Sequence, residues 1–400
     1  MEHPSSRFHS VLHTNHVPSP LEITEIHDLL RAPEQEIMQI DAEIAKLQSR
    51  RVVLDAFVAA HRALLSPIRR IPNEILAEIF VTCLPYSSVY HCPTTIDKTP
   101  LKFMSICKNW KRVALSTPRL WCRAYLVGAD VELLKGQIRG IDMWLQRSGE
   151  LPLSLSIDNH HQNGKLLAQV FERCCSRWRA LDLTLTSPTL MELMKAVPKE
   201  NMSKLEAVSI RKEAFVDDSP QFTESLNHFL ALRSLRALHL YNYATFDHRA
   251  SVGFRWEQLT ELTLAPIVRG EGHTLTLLTA LDILSRAKNL RSCTMKLTAG
   301  KDAIVQNRTQ PAITLPFLHT LDLYLAINLS GVSYANQDDA VHIFNRLITP
   351  SLKTLTIGSW IGTVPPFSVH IPFLCLLSQP SVKIETLNIS CHLNPRSYID

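Results

Sequence analysis

Leu235-Arg236-Ala237-Leu238-His239-Leu240 and Leu259-Thr260-Glu261-Leu262-Thr263-Leu264 share one pattern, L-x-x-L-x-L, in which the last two leucines sit two residues apart. Side chains two apart on an extended chain point to the same face, so each hexad predicts a strand with one apolar side. Six further pieces follow the pattern: Trp178-x-x-Leu181-x-Leu183, Leu205-x-x-Val208-x-Ile210, Leu290-x-x-Cys293-x-Met295, Leu318-x-x-Leu321-x-Leu323, Leu352-x-x-Leu355-x-Ile357 and Ile384-x-x-Leu387-x-Ile389. Their first positions lie 24 to 34 residues apart. Periods of this size mark stacked strand–helix units. Helical segments are expected between strands at 221–232, 275–286 and 338–347. The expected architecture is a curved right-handed solenoid with a parallel sheet on its inner face.

The residue between the two inward columns is polar in every piece: Asp182, Ser209, His239, Thr263, Thr294, Asp322, Thr356 and Asn388. That supports the register and places a polar row on the other face. With Tyr241, Glu261, Lys296 and Tyr324 nearby, it forms a candidate recognition surface. The candidate substrate-binding residues are Asp182, His239, Tyr241, Glu261, Lys296, Asp322 and Tyr324; an ordinary solvated sheet face reads equally well. Cys293 holds a leucine position and is expected to fill core.

Bulk composition agrees with a chain built of surfaces. Of 400 residues, 58 are leucine and only 12 glycine, which disfavours folds that need glycine where backbone meets phosphate. A net charge of +5 spread along the chain does not concentrate a basic face, so nucleic acid is not expected as a partner. Nine cysteines without regular spacing, and no apolar leader, predict a reducing cytoplasmic or nuclear setting. Residues 354–382 lack Asp, Glu, Lys and Arg, yet carry four prolines and His370, so strand, loop and short helix are expected there and no membrane span. No P-loop, H-E-x-x-H or C-x-x-C occurs, Gly270-Glu271-Gly272 lacks a third glycine, and Gly331-Val332-Ser333-Tyr334-Ala335 only partly matches a nucleophile elbow. Neither enzymatic activity nor a metal or other cofactor is expected.

The N-terminal part reads differently. Residues 1–20 are polar and are expected to form a flexible tail. Within 21–66, a helix over 33–65 is expected, with Pro33 at its first position. Ile37, Ile40, Ile44, Leu47, Leu54 and Val58 alternate three and four apart, with Arg51 in one seam position. About three heptads lie at the lower limit of a coiled coil. Self-association, a partner helix, or packing on its own protein would each use that seam. Residues 67–127 then predict a small bundle: a helix after Pro72, one over 101–116, and a short third holding Leu120, Trp121 and Tyr125.

The stretch from Ile71 to Trp121 resembles an F-box. The residues that carry the resemblance are Ile71-Pro72, Glu74-Ile75-Leu76, Ile79-Phe80 and Ile106-Cys107-Lys108-Asn109-Trp110. The continuation Ser116-Thr117-Pro118-Arg119-Leu120-Trp121, then Trp144-Leu145 and Leu151-Pro152-Leu153, looks like the F-box-like proteins abundant in mushroom-forming fungi. Ile71 departs from the usual leucine, and the link over 85–99 is long. The resemblance implies a mixed α and α/β chain: a long N-terminal helix, a three-helix F-box over 67–127, and a leucine-rich-repeat-like solenoid over 128–400. It implies the substrate receptor of an SCF-type ubiquitin ligase, joined through a Skp-type adaptor to cullin and RING proteins and holding a protein substrate on its repeats. Ile71, Pro72, Ile75, Leu76, Ile79, Phe80, Ile106 and Trp110 are then the adaptor contact or its supporting core. Were Phe80 or Leu76 a central anchor, its truncation would cost about 2 kcal/mol of adaptor binding. The alternative is a non-ligase scaffold assembled through the N-terminal helix and the repeats.

Overall fold

The computed structural model describes residues 6–84, 100–128, 131–159, 164–212, 226–241, 254–265, 275–298, 311–326, 345–361, 374–379 and 382–391. Of the expected helix at 221–232, residues 226–230 are helical and 221–225 lie outside the described residues; the one expected at 338–347 lies mostly outside them, and its last residue, Leu347, is on a strand. The chain divides into two compact units, 1–75 and 76–400.

The first unit is dominated by α1, Pro20–Leu64. It begins well before Pro33, which corrects the expected start. Ser19 caps it: its Oγ accepts from Glu22 N, and the Glu22 carboxylate accepts from Ser19 N at 2.8 Å. This reciprocal box, with Pro20 at the first position, satisfies N–H groups that helix starts leave orphaned. Pro33 lies inside the helix, where it donates no backbone hydrogen bond. No residue of α1 is buried. In the preceding segment, residues 7–13 form turns, Phe8 is buried, and Arg7 pairs with Glu25.

The second unit opens with the small helices. Helix α2 is Asn73–Thr82, all but its first three residues in this unit; α3 is Leu101–Met104 and α4 is Lys108–Leu115. The single helix expected over 101–116 is therefore two. The break is at Cys107, whose backbone is extended and whose Sγ accepts from Trp110 N at 3.5 Å, so it caps α4. The expected third helix is only a 3-10 turn, Pro118–Trp121, and Tyr125 lies on strand β1 instead.

A ten-stranded sheet follows. Its strands are β1 Arg123–Val127, β2 Leu153–Asn159, β3 Trp178–Leu185, β4 Ala207–Lys212, β5 Ala237–Tyr241, β6 Glu261–Ala265 and β7 Ser292–Thr298, then β9 Thr320–Ala326, β11 Thr354–Ile361 and β12 Thr386–Cys391. Two short strands, β8 Ile313–Thr314 and β10 Leu347–Ile348, pair separately. Every pair is parallel, and strands lie side by side in chain order. Parallel neighbours need a crossover, supplied where described by α5 Val131–Arg147, α6 Gly164–Cys174, α7 Ser187–Ala196 and α8 Leu277–Arg286; α9, Leu374–Leu377, precedes β12.

Eight strands are the eight hexads, and their register is the one the pattern requires. Leu181 pairs with Val208, and the row continues through Leu238, Leu262, Cys293, Leu321 and Leu355 to Leu387. The first two strands were not foreseen. A bond from the residue before each strand repeats through the stack: Glu206 N to Arg179 O, Arg236 N to Glu206 O, Thr260 N to Arg236 O. The sheet stays in register while the connections vary in length. The core is the leucine columns with Trp178, Phe171, Leu167 and Phe229 packed against them or nearby in the helical layer, all fully buried.

Candidate functional site

Two surfaces of the second unit carry the residues singled out by sequence. On the small helices, Phe80 stacks on Phe103 at 4.2 Å between centroids and meets Trp110 at 4.9 Å. Leu76 and Phe80 are each 1% exposed, so of the two roles left open for them, contact or supporting core, they take the core in this structure. Trp110 is half-buried at the edge of that cluster. Ile79 and Ile106 lie outside it, 38% and 53% exposed. Within α2, Leu76 and Phe80 are four apart and share the buried side, and Ile75 and Ile79, also four apart, share the exposed one. At the end of the first unit, Ile71 is half-buried, while Pro72 and Ile75 are exposed.

The second surface is the polar row of the sheet. Its pairing runs Tyr125, Ser156, Asp182, Ser209, His239, Thr263, Thr294, Asp322, Thr356, Asn388. The row is laced by hydrogen bonds. Thr294 Oγ1 donates to Asp322 Oδ2 at 3.1 Å, and His239 Nδ1 lies 2.9 Å from Thr263 Oγ1. Ser209 and Thr263, small beside larger neighbours, are buried within it. His239 Nε2 stands 3.8 Å from the exposed carboxylate of Glu261. Burial nevertheless lowers the His239 pKa, with Glu261 acting in the opposite sense.

Two residues further along each strand lies a second row: Asp158, Thr184, Arg211, Tyr241 and Ala265, with Lys296 paired to Tyr324 beyond. The Arg211 guanidinium sits over the Tyr241 ring, 4.4 Å from its centroid. Such stacking holds a planar cation against an aromatic face. Burial lowers the Lys296 pKa, and the charge of Arg211 adds to that, so the two cations share one electrostatic neighbourhood. At the β1–β3 end the charge reverses. Tyr125 Oη donates to Asp158 Oδ2 at 3.3 Å, and the Asp182 pKa is pushed up to about 6, mainly by burial and further by the Asp158 charge. The face is thus acidic at one end and cationic and aromatic in its middle.

Of the expected recognition residues, Asp182, His239, Tyr241, Lys296, Asp322 and Tyr324 are half-buried on this face, and Glu261 is exposed two residues before Thr263 on β6. Arg211, Asp158 and Tyr125 were missed. The offset that singled out Tyr241 also reaches Arg211, since both follow the polar row by two residues. Asp158 and Tyr125 needed β1 and β2 to be recognised as strands.

Burial acts on the cysteine thiols near these surfaces. Cys293 is fully buried with its thiol pushed up to about 12 by desolvation, and Cys174 is pushed up to about 11 for the same reason. A thiol held protonated is a poor nucleophile. The partly buried Cys122 faces a cleft of about 310 Å³ with Arg119, Arg123 and Arg179, yet desolvation outweighs those guanidiniums and raises its pKa too. Among the described residues, no cluster of three or more His, Cys, Asp or Glu side chains could hold a metal, and no helix is long and apolar enough to cross a membrane. Compared with known proteins, the chain matches no protein-family model and no curated protein.

Proposed function

We propose that the chain is a non-catalytic substrate receptor of an SCF-type ubiquitin ligase. In this reading α2–α4 form an F-box-like module that binds a Skp-type adaptor, which links the chain to cullin and RING proteins. The sheet and its helices form a leucine-rich-repeat-like solenoid whose polar face holds a protein substrate. The observation that carries the reading is the separation within the small helices: a closed Phe80–Phe103–Trp110 core beside exposed Ile79 and Ile106. Exposed isoleucines on a module this small are suited to a protein partner. On the sheet, Arg211, Tyr241 and Tyr324 are of the residue types that dominate protein interfaces. The receptor acts by raising the effective concentration of substrate near the ligase.

Co-purification of the full chain with a Skp-type adaptor tests the reading. Binding is expected for the wild type and strong weakening for Ile79→Asp or Ile106→Asp, with the sheet intact by circular dichroism. A folded wild type that captures no adaptor would sink it. The alternative, a non-ligase scaffold, is favoured by one specific observation, the long helix α1 with no buried residue. It predicts self-assembly without adaptor binding.

A further inference from the structure

The start of α1 at Pro20 lengthens the apolar seam. Counting back by heptads from Ile37 and Ile40 brings Pro33, Leu30, Ile26 and Ile23 into phase, so the seam spans residues 23–58 on a helix of 45 residues. At 1.5 Å per residue that helix is roughly 67 Å long. Its central knobs are open: Ile44 is 46% and Leu47 56% exposed. Charge is divided along the same helix. Residues 20–42 carry six carboxylates and one arginine, whereas 43–65 carry four basic side chains and two carboxylates.

We infer that α1 docks on α1 of a second copy of this chain as an antiparallel two-stranded coiled coil. Antiparallel pairing sets the acidic half of each helix beside the basic half of the other. A parallel pair would lay acidic half on acidic half and stack Arg51 on Arg51 within one layer. With the two-fold axis between Ile44 and Leu47, each Ile44 packs on Leu47 of the second copy. Ile40 then faces Arg51, and Ile37 faces Leu54, so every layer keeps at least one aliphatic knob. Arg51 can sit at such a layer because its guanidinium reaches outward to Asp55, 3.5 Å away on its own helix. On the flank, Glu43 meets Arg50 of the second copy, and the symmetry makes that contact twice. The seam is polar only at Arg51 and His61, and this register sets both against aliphatic residues, Ile40 and Leu30, and Pro33 against Val58.

The full-length chain is the material for the test. Sedimentation at micromolar concentration is expected to give a dimer, twice 45.2 kDa, that weakens with added salt. Ile44→Asp is expected to raise the dimer dissociation constant by at least about 30-fold. Arg50→Glu alone weakens the dimer, and adding Glu43→Arg restores it, because the two positions face each other across the antiparallel pair. In a parallel pair position 50 faces Asp55 and the second change rescues nothing. A benzophenone side chain at position 36 is expected to cross-link near Phe57. Those positions lie roughly 31 Å apart on one helix, so the product must join two copies. A monomer, a trimer or larger bundle, or cross-links near position 41 would each overturn the proposal.

Discussion

Asp182 shows how one side chain in the polar row carries both a cost and a readout. Its carboxyl is pushed up from 3.8 to about 6, chiefly because burial disfavours the charged form and Asp158 adds like charge, against a stabilising bond from Ser209. A pKa raised on folding means the folded state holds the proton more tightly than the unfolded state. The associated stability is therefore complete below about pH 4 and is lost as pH rises through about 6. The shift corresponds to roughly 2–3 kcal/mol between those limits. Asp182→Asn removes the titration while keeping a polar group beside Ser209. Urea midpoints measured at pH 4.5 and 7.5 are expected to show the variant gaining stability over the wild type at 7.5 and little at 4.5. Equal gains at both values would mean that the ionised carboxylate is not the source of strain. A second residue in the same region is fixed by shape. A Cβ at Gly128 would overlap the fully buried Asn159 side chain, so Gly128→Ala is expected to lower the thermal midpoint by several degrees, the effect of overpacking by about 1–3 kcal/mol.

Elements were legible in the sequence to the degree that one residue period decided them. The eight strands with L-x-x-L-x-L appear with the expected pairing, because a slip of one residue would expose a whole leucine column. Strand β1 has Ala124 where the hexads carry a larger apolar or cysteine side chain, and the Leu153, Leu155, Ile157 alternation of β2 lies beyond the hexads, so neither was found by that pattern. The start of α1 was misplaced because Pro33 suits a first turn, while the reciprocal Ser19–Glu22 box lay fourteen residues upstream. On α2 the residue types marked an apolar helix without saying which members face inward; Phe103 and Trp110, brought in by later helices, decide that. Two substitutions separate the roles. Phe80→Ala removes a ring packed between Phe103 and Trp110 and is expected to cost about 3–5 kcal/mol of stability. Ile79→Ala, on the exposed side, is expected to cost under about 1 kcal/mol. Guanidinium-chloride unfolding of both variants checks the difference, and comparable losses would place Ile79 in the core.

Across the whole sheet, stability is set by stacking, since each strand is covered by its neighbours on either side and by a helical layer behind. Leu355 and Ile357 on β11 are almost completely buried in this way. Their equivalents on β12, Leu387 and Ile389, are 43% and 52% exposed although they pair in register with them. Among the described residues β12 has a partner strand on one side only, and its apolar column is open. A strand whose apolar column is open has fewer buried contacts than a central one, so its local stability is lower. Amide exchange is therefore expected to be fastest in β12 and slowest through β3–β7, where each strand is sandwiched. Leu355→Ala should destabilise the chain by about 2–5 kcal/mol, whereas Leu387→Ala should cost under about 1 kcal/mol. If Leu387→Ala proved as costly as Leu355→Ala, and β12 amides were protected as well as those of β5, the open column would have to be covered in solution.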